Sequence, residues 1–214
     1  MKMRMKKGLY VLLAILTGGM IMTGCNKDDS PANQFTFNGE TYSFSQGIVF
    51  NETIVPDSMY YHMVVLLSDD FTVYWDEDHE DIDSLTGRGE ALVLGMIGPE
   101  ADGPATGTYL HADLDLKKVE MPNLFVWVEG RLYINYSEDE EKGEELNQRY
   151  KLTDGTVKVS KKGSGKFDFT FDLSVADTNA TSLKGFSSVT LEIVNIPEED
   201  EDDPNKGFSF PFQK

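Results

Sequence analysis

The run Phe167-Asp168-Phe169-Thr170-Phe171-Asp172-Leu173 constrains this chain more than any other feature. Successive side chains of a β-strand point to opposite faces. Phe167, Phe169, Phe171 and Leu173 therefore line one face, and Asp168, Thr170 and Asp172 line the other. A helix would scatter the four apolar residues around its axis, so the pattern predicts a half-buried antiparallel strand. The segment before it follows the same rule: Gly155 to Ser160 alternates with period two, and Lys161-Lys162-Gly163-Ser164-Gly165 reads as the turn between them. Upstream, Phe35-Thr36-Phe37 and Tyr42 with Phe44 flank Asn38-Gly39. Asn-Gly between alternating runs predicts a tight hairpin, because both turn positions need positive φ.

The rest of the chain continues in strands. Tyr60 to Leu67 is apolar enough for a buried strand, Asp69-Asp70 supplies a tight turn, and Phe71 to Trp75 follows. Glu90 to Ile97 and Thr106 to His111 flank a Gly/Pro loop. Leu124 to Tyr136 reads as two strands or one long bent strand, with Gly130 at the bulge or bend. Ser182 to Val194 and Gly207 to Phe212 complete the series, and only Asp139 to Gln148 reads as a short helix. Roughly ten short strands separated by turn signals predict one all-β domain. A single antiparallel β-sandwich and a lipocalin-like β-barrel both fit that count.

The front of the chain is of another kind. Lys2, Arg4, Lys6 and Lys7 precede a short apolar stretch, Leu9 to Leu16, interrupted by Thr17, Gly18 and Gly19. A basic start, a short apolar middle and small residues before a cut site predict a secretory signal. About 20 apolar residues would be needed to span a membrane, and the run is shorter. Met22-Thr23-Gly24-Cys25 resembles a lipobox, which implies a lipoprotein signal peptide over 1–24 and diacylglycerol on Cys25. Cys25 is the only cysteine, and lipidation accounts for it. Acyl chains contribute about 0.8 kcal/mol per buried CH2, and more than one chain gives stable anchoring. The domain plan is a signal peptide at 1–24, a lipidated flexible tether at 25–34 and an all-β domain at 35–214.

Just after the cysteine, Lys27, Asp28 and Asp29 resemble the surface-export signal of Bacteroidota lipoproteins. Gly87-Arg88-Gly89-Glu90-Ala91-Leu92-Val93-Leu94, Gly107-Thr108-Tyr109, Gly155-Thr156-Val157-Lys158-Val159 and Leu183-Lys184-Gly185-Phe186 look like strand motifs of the same surface-exposed lipoprotein family. The likeness runs over about residues 35 to 190 on short glycine-punctuated strands. It implies a compact all-β domain, anchored in the outer membrane and facing the cell exterior, and it brings no assigned chemistry.

Charge excludes some partners. The chain carries 37 acidic and 19 basic residues, a formal net charge of −18. Loss of residues 1–24 removes four basic residues and no acid, which takes the balance to −22. That balance opposes nucleic acid, whose binders present basic patches. It also opposes lying flat on an anionic membrane, so membrane contact is expected through the lipid alone.

No catalytic constellation stands out. The three histidines, His62, His79 and His111, have no ligand spacing, and no Gly-x-Ser-x-Gly elbow occurs. Asp76-Glu77-Asp78-His79-Glu80-Asp81-Ile82-Asp83 gathers oxygen donors of the kind calcium favours, though without the glycine of an EF-hand loop. Calcium is the one cofactor this chemistry admits, and a solvated acidic loop is the plainer reading. Trp75 stands at a strand end beside that loop and is the candidate for stacking on a sugar ring, whereas Trp127 alternates with Phe125 and reads as core. Asp57-Ser58-Met59 and Asp83-Ser84-Leu85 resemble the O-glycosylation acceptor of exported Bacteroidota proteins, which makes Ser58 and Ser84 candidate acceptors in expected loops. The expectation is a non-catalytic surface lipoprotein that binds a ligand, with a glycan or an outer-membrane protein as partner. A structural or protein-interaction lipoprotein of the envelope is the alternative, with a hydrolase third.

Overall fold

A computed structural model describes residues 33–55, 59–76, 82–112, 125–137, 148–163, 165–176 and 182–195. The chain divides into two units, Met1–Pro31 and Ala32–Lys214, and every described residue belongs to the second. Eleven strands run in order β1 (Gln34–Phe37), β2 (Glu40–Tyr42), β3 (Gln46–Val55), β4 (Met59–Leu67), β5 (Phe71–Trp75), β6 (Ile82–Gly98), β7 (Gly107–His111), β8 (Val126–Ser137), β9 (Gln148–Gly163), β10 (Lys166–Val175) and β11 (Ser182–Asn195). The described residues hold no helix. Gln148, placed at the end of a short helix by its sequence, is the first residue of β9.

Eight of the strands close into a barrel in the order β3-β4-β6-β8-β7-β9-β10-β11 and back to β3. This settles barrel against sandwich. The expected all-antiparallel pairing holds except at two seams, β11 with β3 and β7 with β8, which are parallel. Parallel neighbours need a long crossover, and both pairs have one: most of the domain separates β3 from β11, and residues 112–125 separate β7 from β8. Below β7, β9 pairs directly with β8. The β1–β2 hairpin extends from the edge of β11, and β5 pairs with the first part of β6.

The interior is filled by side chains. Val64, Leu66, Leu92, Leu94, Met96, Tyr109, Trp127, Leu132, Val157, Val159, Phe167, Phe169, Phe171 and Leu173 form one buried cluster with Phe35, Phe37 and Phe44 from the β1–β2 hairpin. An eight-stranded barrel has an interior just wide enough for such packing. Asn38 and Gly39 take φ of 52° and 82°, the two positive angles that the hairpin requires. The hairpin thereby carries Phe35 onto Phe44, with stacked ring centroids 4.3 Å apart, and Phe37 against Tyr150 at 4.7 Å. These rings close one end of the barrel.

A second core lies on the outside. Ile48 and Phe50 of β3, Val65 and Leu67 of β4, Ala91 of β6 and Tyr133 and Tyr136 of β8 point away from the interior. Phe71 of β5 and Leu85 of β6 pack over them, so the β5–β6 hairpin covers this face. β6 begins at Ile82, eight residues before the strand expected from Glu90.

The bend expected at Gly130 lies elsewhere. β8 is one strand with two irregularities: Val128 is extra between Glu129 and Trp127, and Ile134 with Asn135 faces Glu90 alone. Asn135 supplies the turn of the second with φ 56°. A Cβ on Gly130 would lie 2.8 Å from Leu152 Cδ1 and 3.1 Å from Leu94 Cδ2, so this glycine makes room inside the barrel.

Candidate functional site

Several residues singled out by the sequence lie outside the described residues: Cys25, Lys27, Asp28, Asp29, Ser58, and Glu77 to Asp81 of the acidic run. His79 and the strand expected at Gly207 to Phe212 also lie outside. Among the described residues no group of three or more histidines and carboxylates is placed to hold a metal ion.

Trp75 and Ser84 are described, and both differ from expectation. Trp75 faces inward on β5, half-buried against the second core, opposite Ile82. Strand alternation turns its neighbour Tyr74 outward instead, where it is 50% exposed. Ser84 is in β6 rather than in a loop, half-buried, and lies directly opposite Tyr74. The exposed aromatic of this hairpin is therefore Tyr74, with the Ser84 hydroxyl as its cross-strand neighbour. The loop between Gly98 and Gly107 closes the other end of the barrel. His62, buried on β4, lies 2.7 Å through Nδ1 from the Asn51 side-chain amide and 2.9 Å through Nε2 from the Glu100 carbonyl. Burial depresses the imidazole to about 4, with the Glu100 carbonyl pulling weakly the other way. The ring is neutral at ordinary pH and ties β3 and β4 to the loop. Tyr109 donates to the Ala105 carbonyl at 3.0 Å, and the Lys161 backbone N–H donates to Thr106 Oγ1 at 3.0 Å. His111 packs against the buried Trp127 ring at 4.4 Å, and the Trp127 indole donates to the Gly155 carbonyl at 3.2 Å. His62 and Trp127 thus serve the core, as alternation suggests.

At the hairpin end, Tyr42 donates to Glu40 at 2.5 Å. Burial, and then the hydrogen bond and charge of Glu40, push its hydroxyl up to about 12. Glu90 is raised by burial first and by Asp70 second.

The outward side of β7, β9, β10, β11 and β1 is of a different make. Cross-strand register lines up Thr108, Lys158, Thr170, Phe186 and Gln34 in one row. Leu110, Thr156, Asp172, Lys184 and Thr36 form the next. Lys184 pairs with Asp172 at 2.9 Å, Lys162 pairs with Asp168 at 3.2 Å, and Ser188 donates to Asp168 at 2.7 Å. Phe186 is the aromatic in these two rows. The alternation of β11, Leu183 and Val189 inward and Lys184 and Ser188 outward, was sufficient signal to find it. No protein-family model, curated protein or solved structure matches the chain.

Proposed function

We propose that this chain is an exported lipoprotein, lipidated on Cys25, whose barrel is held at the cell exterior as a non-catalytic glycan-binding module. One observation carries the binding part: the barrel is filled by its own side chains, with aromatic rings at one end and a tied loop at the other. Recognition on such a body falls to its outer surface, where Tyr74 and Phe186 offer ring faces among hydroxyls. Sugar rings present C–H faces that stack on aromatic side chains, and their hydroxyls exchange hydrogen bonds with serine and threonine. The export part rests on the basic start, the short apolar stretch and the Met22-Thr23-Gly24-Cys25 motif, with Lys27, Asp28 and Asp29 behind the surface placement.

Three measurements test it. Metabolic labelling with an alkynyl fatty acid should mark the wild type and leave Cys25→Ser unmarked; equal labelling would refute the anchor. Protease shaving should digest the domain on intact cells, and resistance until lysis would refute the surface placement. A glycan array probed with the full chain then addresses binding, and a blank array would remove the glycan. A protein-interaction role in the envelope has one observation in its favour: among the described strands β2 pairs with β1 alone. An edge of this kind can accept a strand from a partner.

A further inference from the structure

The geometry points to the outward face around Phe186 as a binding surface for an acidic polysaccharide, one whose sugars carry carboxylate or sulfate groups. The inference rests on the glycan-binding reading above and names its ligand class and its place. Four observations carry it.

The first is charge. Strands β7, β9, β10 and β11 hold seven lysine and arginine residues against four acids, a local balance of +3 in a chain of −18. At physiological ionic strength fields decay over about 8 Å, so a ligand at contact meets the mixed charge of these strands, Lys158 and Lys184 beside Asp168 and Asp172, rather than the net charge of the whole chain.

The second is Phe186. It is half-buried on the outward side of β11 and belongs to none of the three apolar clusters of the described residues. The ring is flanked by Thr170 and Gln34 on the neighbouring strands, and the part of it that solvent reaches is the part a sugar would stack on.

The third is the placement of the cations. Lys158 stands directly between Thr108 and Thr170, with no acid opposite it. Lys184 lies two residues from Phe186 on the same side, its pairing with Asp172 made in the open, where such a pair contributes little and exchanges readily for a ligand carboxylate. Ammonium groups beside hydroxyls suit a sugar that bears both hydroxyls and a negative group.

The fourth is extent. The row Thr108, Lys158, Thr170, Phe186 crosses four strands, roughly 14 Å at the usual strand spacing. A polymer lying across the strands meets a lysine, a threonine and an aromatic ring in succession.

The test is affinity electrophoresis of the full chain in gels holding polygalacturonate, alginate or chondroitin sulfate, with dextran as the neutral polymer. Phe186→Ala, Lys158→Glu and Tyr74→Ala are compared with the wild type and with Arg88→Ala, which removes an exposed cation of β6 away from this face. Circular dichroism with thermal midpoints verifies the folding of each variant. At least one acidic polymer should retard the wild type, more weakly as salt rises, while dextran does not. Phe186→Ala and Lys158→Glu should each weaken retardation tenfold or more, and Arg88→Ala should be retarded like the wild type. Retardation by an acidic polymer that all variants share would overturn the assignment of this face. Retardation by dextran alone, lost in Tyr74→Ala, would overturn the acidic ligand and leave a glycan-binding protein. No retardation by any polymer, together with a blank glycan array, would overturn both.

Discussion

The side chain of Asn33 accepts a hydrogen bond from the backbone N–H of Ser188 at 2.7 Å and donates another to the Phe44 carbonyl at 2.7 Å. These bonds fall where the edge of β11 passes from β1 to β3. Phe186 is the last residue of β11 to pair with β1, and Leu191 is the first to pair with β3. Between them the ladder is open, and one amide side chain bridges it. Asn33 belongs with the tether by composition, yet its side chain bridges the edge of β11 to the residue before β3 that carries the Phe44 ring.

Asn33→Ala should therefore cost about 1–3 kcal/mol, because it strands a half-buried donor and a half-buried acceptor together. The measurement is the urea midpoint, joined to amide hydrogen exchange. Exchange at Ser188 should quicken more than exchange at the centre of β10. Unchanged protection at Ser188 would show that the seam is held by something else.

His62 makes stability depend on pH. Its folded value is lowered to about 4 from the ordinary 6.5, so between these values the unfolded chain binds more protons than the folded one. The contribution is complete above pH 6.5 and is lost as pH falls toward 4, about 3 kcal/mol in all at 1.36 kcal/mol per unit. Glu90 works the other way, since a raised carboxyl loses stability as pH rises above its unfolded value. Denaturant midpoints of the wild type should fall across pH 6.5 to 4. His62→Gln, which removes the titration, should flatten that slope. An equal slope in both proteins would place the acid sensitivity elsewhere.

Ser187 is an odd residue in the core. It is fully buried on β11 opposite Phe169, and its hydroxyl has no hydrogen-bond partner among the described residues. Burying an unpaired hydroxyl costs about 1–3 kcal/mol in proteins. Ser187→Ala removes the group and little volume, so its urea midpoint should rise, by about 1 kcal/mol in stability. A clear fall would mean that the hydroxyl is satisfied, an ordered water being the natural partner.

What the sequence could tell depended on the range of the interaction. Phe167 to Leu173 and Asn38-Gly39 act through neighbours along the chain, and β10 and the first hairpin stand where they were expected. Closure depends on β3 meeting β11 across most of the domain, and no local pattern encodes that, so sandwich and barrel were equal beforehand. The first half of β6 was hidden because Asp83 and Ser84 interrupt its apolar residues. Its inward Leu85 makes sense only once the outer face of β3 and β4 is seen to need a cover. Trp75 stands beside acids in the chain, which suggested exposure, but the same cover draws its ring inward. Phe186 could have been placed by alternation; what alternation lacked was the knowledge that its neighbours on three other strands are lysine and threonine.

Gly155 offers the sharpest test of the barrel itself. It continues β9 with φ of 116°, outside the range that other residues adopt readily. A Cβ there would lie 2.2 Å from the Asp172 carbonyl oxygen and 2.8 Å from the Leu173 Cα, both backbone atoms of β10. The same residue's carbonyl receives the Trp127 indole N–H. Gly155→Ala must push β9 away from β10, shift that carbonyl and leave a buried donor without its acceptor. Strain and overpacking of this kind each cost about 1–3 kcal/mol. The variant should unfold at a clearly lower denaturant concentration, and its tryptophan emission should shift to the red as the Trp127 site loosens. Gly163 is the control. It too has positive φ, 90°, but a Cβ there meets nothing within 4 Å, so Gly163→Ala should lose only the conformational part and leave the emission unchanged. Equal losses in the two variants would mean that backbone angle alone matters and that the close approach of β9 and β10 at Gly155 contributes nothing.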